Sequence, residues 1–67
     1  MRWVVKSARH IELFDGDKAM GFTICTIGME DALKFEAWDK REAPAKMLAC
    51  NLPTKEAAIA FVKAELG

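Results

Sequence analysis

The segment Asp15-Gly16-Asp17-Lys18 constrains this chain more than any other. It is a strong turn signal set between two runs of strand character, residues 10–14 and 20–27. Strands joined by so short a loop must pair antiparallel, because a parallel pair needs a crossover of a dozen or more residues. The register follows from the requirement that one face be apolar. A four-residue loop over 15–18 sets Leu13 opposite Met20 and Ile11 opposite Phe22, whereas a three-residue loop would set Leu13 opposite Ala19 and Ile11 opposite Gly21. The four-residue loop is therefore expected.

The same reasoning extends the sheet. With 28–31 as the next loop, Ile24 falls opposite Phe35 and Phe22 opposite Ala37. One face then collects Ile11, Leu13, Met20, Phe22, Ile24, Leu33, Phe35 and Ala37. Residues 29–43 also read as helix formers, with Glu30/Lys34, Glu36/Lys40 and Glu42/Lys46 in the favourable i,i+4 order. On a helix, however, Ala32, Leu33, Phe35, Ala37 and Trp38 scatter around the cylinder, while on a strand Leu33, Phe35 and Ala37 align. The pattern thus predicts a strand over 32–38, a loop over 39–46 around Pro44, and further short strands at 3–6 and 47–50.

The end of the chain is a helix. Thr54 can cap it, Glu56 places negative charge in the first turn, and Gly67 stands at its end. Ala58, Ile59, Val62 and Leu66 form one stripe, with Phe61 at its edge. The expected fold is a single α+β domain over 1–67, a small two-layer structure in which a three- to four-stranded antiparallel β-meander is packed by one C-terminal α-helix over 54–66.

Composition narrows the function classes. The chain has 67 residues, 52% of them hydrophobic, enough for a core but one that supplies only about 3–5 kcal/mol. Dimerisation is a natural way to bury more surface. Ten basic residues balance ten acidic ones, so the basic excess of a phosphate-tracking domain is missing. The apolar run 57–62 is far too short to span a bilayer, and the opening residues have no apolar core of signal-peptide length. A cytoplasmic protein is expected, with Cys25 and Cys50 reduced.

Motifs for chemistry are sparse. His10, Cys25 and Cys50 lack zinc-ligand spacing, and a Cys-His nucleophile would still need an orienting group, an oxyanion site and a cleft. Asp15 with Asp17 and Glu30 with Asp31 lie in expected turns, where such residues serve local hydrogen bonding. No enzyme activity, metal or cofactor is therefore expected.

The face opposite the core is more informative. There Phe14, Cys25, Ile27 and Trp38 leave a second apolar stripe, with Trp38 expected to cover Gly21 across the strands. Either the N-terminal strand, the 39–50 segment or both fold over it, or it is a protein interface. The favoured function is a non-enzymatic protein-interaction module that forms a homodimer or binds another protein, by analogy with small bacterial and phage accessory or inhibitory proteins. The alternative is a nucleic-acid-binding sheet that uses Arg2, Lys6, Arg9, Lys34 and Trp38.

The junction Leu52-Pro53-Thr54-Lys55-Glu56-Ala57, followed by Phe61, resembles the strand-to-helix junction of the arm-type DNA-binding domains of phage integrases and of a small accessory subunit of respiratory complex I. The resemblance follows from capping physics and singles out no family. The basic sheet face of the integrase domains is absent.

Overall fold

The computed structural model describes residues 1–67 and shows five strands followed by one helix: β1 (Arg2–Ser7), β2 (His10–Asp15), β3 (Lys18–Ile27), β4 (Lys34–Asp39), β5 (Lys46–Leu52) and α1 (Lys55–Leu66). The strands form one antiparallel sheet in the order β1-β2-β3-β4-β5, and α1 crosses one face of it. The meander, the second layer and the C-terminal helix are as the sequence implies. The strand number is five instead of three or four, because the 3–6 and 47–50 segments both extend the sheet at its edges. Neither folds over the second face. No helix is long and apolar enough to cross a membrane.

The inner face, under α1, carries the core: Ile11 and Leu13 from β2, Phe22 and Ile24 from β3, Ala37 from β4, and Ala58 and Val62 from α1. Trp3, Met20, Phe35, Leu48, Leu52 and Ile59 pack around it. Ala37 and Ala58 are both fully buried, and small side chains on sheet and helix suit a close crossing. The helix is capped as its sequence demands: Thr54 Oγ1 accepts from the Ala57 N–H at 3.1 Å, and the Gly67 N–H donates to Lys63 O at 3.0 Å.

The expected β2–β3 register holds beside the turn and shifts by two residues beyond Leu13, and the expected β3–β4 register is corrected by two residues throughout. At the first hairpin Asp15 pairs with Lys18 and Phe14 with Ala19, around a two-residue turn with positive φ only at Gly16, as in a type II′ turn. Beyond the turn Leu13 faces the three residues 20–22, and pairing resumes at Glu12 with Thr23. Ile11 therefore stands opposite Ile24 and not Phe22. Gly21 makes this bulge feasible: its φ is +86°, and a Cβ there would lie 2.6 Å from Arg41 Cγ. On the other side of β3, Ile24 pairs with Ala37 instead of Phe35, because the connecting loop spans six residues, 28–33, and is closed by the Ala32 N–H on Met29 O.

A two-residue slip returns every side chain to its own face, so the expected inner stripe survives. Leu33 is the exception. It falls in the longer loop, 37% exposed, and not on β4. Trp38 is also displaced: it stands opposite Thr23, not Gly21.

Candidate functional site

On the outer face, period-2 alternation places Glu12 and Phe14 from β2, Thr23 and Cys25 from β3, and Lys34, Glu36 and Trp38 from β4. Thr23 sits at its centre with 1% of its surface exposed, although no helix lies above it. Its direct neighbours across the strands are Trp38 on one side and Glu12 on the other. The Trp38 Nε1–H donates to Glu36 Oε1 at 3.2 Å, which ties the indole along β4. The outer face is thus closed at its middle by its own side chains and flanked at one side by the β4–β5 loop, with Phe14, Cys25 and Trp38 half-buried and Ile27 exposed.

The structure brings Cys25 and Trp38 together. They line a shallow hollow of about 320 Å³ with Glu36, Lys40 and Ala45. Phe14 stands apart near the first hairpin, with Lys6 Nζ 5.2 Å from its ring centroid, a cation–π contact. Ile27, 43% exposed, ends β3. Of the alternative nucleic-acid contacts, Arg2 and Lys6 lie on β1, Arg9 is in the following turn, and Lys34 opens β4. Glu12 and Glu36 sit among them, so both charge signs alternate across the face.

His10, Cys25 and Glu36 make a cross-strand row: His10 is opposite Cys25, and Cys25 is opposite Glu36. Burial pushes the Cys25 thiol above its ordinary range, with Lys40 opposing and Glu36 adding to the shift. A thiol held in its neutral form is a poor nucleophile. His10 Nε2 is buried without a hydrogen-bond partner. Cys50 lies exposed on β5 and is not paired with Cys25. No group of three or more His, Cys, Asp or Glu side chains has a metal-holding arrangement.

Two features were not read from the sequence. An acidic–basic basin of about 390 Å³ is lined by Asp39, Arg41, Glu42, Pro44, Lys46 and Glu65. Arg41 organises it: Nε and Nη2 donate to the two Asp39 carboxylate oxygens at 3.0 and 2.8 Å, and the guanidinium stacks 4.7 Å from the Phe22 ring centroid. The side-chain hydrogen bonds from Arg41, then its backbone N–H, hold the Asp39 carboxyl down at about 2. This clamp fixes the β4–β5 loop against β3; its signal was the i,i+2 Asp-Arg pair.

The second feature is an apolar hollow of about 330 Å³ on the inner face, bounded by Met1, Trp3, Leu13, Ile59 and Leu66 with Lys63 at its rim. It exists because the α1 backbone lies over β4, β5 and β3 and does not reach β1 or β2. Its signal was the alternation of Trp3 and Val5 with Arg2, Val4 and Lys6. Comparison with protein-family models, curated proteins and solved structures found no match.

Proposed function

We propose that this domain is a non-catalytic protein-interaction module that associates through the outer face of its sheet, most simply with a second copy of itself. The observation that carries this reading is the one-sided architecture. One helix covers one face, both terminal strands go to the edges, and the other face, with Cys25, Trp38, Ile27 and Phe14, has no helix over it and only the β4–β5 loop at one side. Ile27 is exposed there and Phe14, Cys25 and Trp38 are half-buried, and a partly exposed apolar stripe with no covering helix is a common mark of an interaction site. The alternation of Glu12 and Glu36 with Lys6 and Lys34 supports self-pairing, because a two-fold contact needs a surface complementary to itself. A cytoplasmic setting and an accessory or inhibitory role belong to the same proposal.

The test is light scattering of the wild type and of Trp38→Ala across a concentration series. The wild type is expected to form a dimer that Trp38→Ala shifts toward monomer, with the circular dichroism spectrum retained. A wild type that stays monomeric at high concentration would rule out self-association. The nucleic-acid alternative requires tight binding to random DNA at physiological salt, lost on changing Lys34 or Arg9, which the balanced charge disfavours.

A further inference from the structure

The sheet has two free edges, and they are not equivalent. β5 pairs with β4 through two register shifts and contains Asn51 at φ 57°, so its edge is broken and twisted. Irregularity of that kind protects an edge from further pairing. β1 is the contrary case. It pairs without interruption from Arg2 to Val5, and its only irregularity comes after Val5. Alternate backbone N–H and C=O groups of β1 therefore point away from β2 with no partner in the chain.

What flanks this edge specifies what would add to it. On the inner side Trp3 and Met1 border the apolar hollow, Val5 continues the same face along the strand, and Val5 and Met1 are both 71% exposed. On the outer side stand Arg2 and Lys6. β1 carries no carboxylate, and neither cation forms an ion pair; the chain's two ion pairs both belong to Arg41. Glu12, opposite Val4, is the nearest acid on that side and pairs with neither. Lys63 adds a further cation at the rim of the hollow.

We infer that the β1 edge is a strand-addition site for an extended acidic–apolar peptide segment of a partner protein. Side chains directly opposite in a sheet share a face. A strand added to β1 therefore sets apolar residues beside Trp3, at the mouth of the hollow, and beside the exposed Val5, and acidic residues beside Arg2 and Lys6. The pattern acidic–apolar–any–apolar–acidic reads the same in both directions, so it suits parallel and antiparallel addition alike. Backbone hydrogen bonds hold the segment and the alternating side chains select it, as in other edge-binding modules. A second copy of β1 is the wrong occupant, because pairing two such edges gathers two Arg2 and two Lys6 along one line with no carboxylate between them. The site borders the outer-face contact at Lys6 but shares none of Cys25, Ile27 and Trp38 with it.

The experiment uses a fluorescein-labelled peptide containing Glu-Val-Thr-Val-Glu between Gly-Ser flanks, and the same peptide with both Glu replaced by Lys. Fluorescence polarisation should show the Glu peptide binding about tenfold more tightly than the Lys peptide. The double variant Arg2→Glu/Lys6→Glu, altered only at exposed positions, should invert that order. In proton–nitrogen spectra the shifts should concentrate on residues 1–7 and on Ile59, Lys63 and Leu66, and Trp38→Ala should bind the peptide like the wild type. The inference is overturned by no binding at millimolar peptide, by equal affinity for the two peptides, or by shifts on the outer face. Displacement of the peptide by single-stranded DNA of equal charge would assign the strip to nucleic acid and overturn it as well.

Discussion

Gly21→Ala tests the β3 bulge and the Arg41 clamp together, and its cost can be worked from the geometry. Two contributions add. An alanine held at φ +86° leaves its preferred backbone region, at about 1–2 kcal/mol. Its Cβ would also lie 2.6 Å from Arg41 Cγ and 3.3 Å from the Arg41 backbone nitrogen and Cα, and the same Gly21 carbonyl accepts the Lys40 N–H at 2.6 Å. The side chain can swing away but the backbone cannot do so without breaking that hydrogen bond. Overpacking of this kind costs about 1–3 kcal/mol. Gly16 is the internal control: its φ is +61° and nothing lies within 4 Å of its would-be Cβ. Gly16→Ala should therefore lose only the backbone contribution. The expected difference between the variants is about 1–3 kcal/mol, or roughly 4–8 °C of Tm per kcal/mol in a domain of this size. Against a total stability of roughly 3–10 kcal/mol for 67 residues, that is readily measured. Urea unfolding with circular dichroism detection gives both values. Measured in an Arg41→Ala background, Gly21→Ala should cost less than in the wild type, because the Cγ contact is gone and the backbone contact stays. Equal loss in Gly21→Ala and Gly16→Ala would refute the reasoning.

Two further outcomes follow from local features. The Asp39 carboxyl is held at about 2 against an ordinary 3.8, so the stability it contributes is present above pH 4 and is lost as pH falls toward 2; thermal melts of Asp39→Asn should be flatter than the wild type across that window. Thr54→Ala removes the hydroxyl that accepts the Ala57 N–H and should lower the unfolding free energy by about 1 kcal/mol, while Thr54→Asp should retain most of it.

The helix was legible in the sequence because capping is local: Thr54, Glu56 and Gly67 act within one turn of themselves, and the stripe through Ala58 and Val62 needs only the helical period. The faces of the sheet were legible for a similar reason, since alternation assigns Ile11, Leu13, Phe22, Ile24 and Ala37 to one side whatever they oppose. Register was not. A slip of two residues leaves every face unchanged, so the apolar pattern cannot distinguish Ile11 opposite Phe22 from Ile11 opposite Ile24; the bulge at Gly21 and the six-residue 28–33 loop decide it. The clamp that occupies Gly21 comes from Arg41, twenty residues away in the chain, and the local Asp39-Arg41 pair does not reveal that Gly21 is its neighbour. The same slip moved Trp38 from Gly21 to Thr23, which closed the middle of the outer face and left Cys25 in a hollow beside it. Trp3 was placed on a strand without its consequence, because the hollow it lines depends on where α1 stops short.

The two tryptophans lie on opposite faces, Trp38 outer and Trp3 inner, so their indole N–H signals report separately on the two surfaces. Proton–nitrogen spectra of the wild type over a dilution series from millimolar to micromolar measure self-association through the outer face most directly. The Trp38 indole signal should move with concentration, together with Cys25 and Ile27, while the Trp3 indole stays fixed. A Trp38 signal that is invariant over the whole series, or a Trp3 signal that moves in its place, would contradict it.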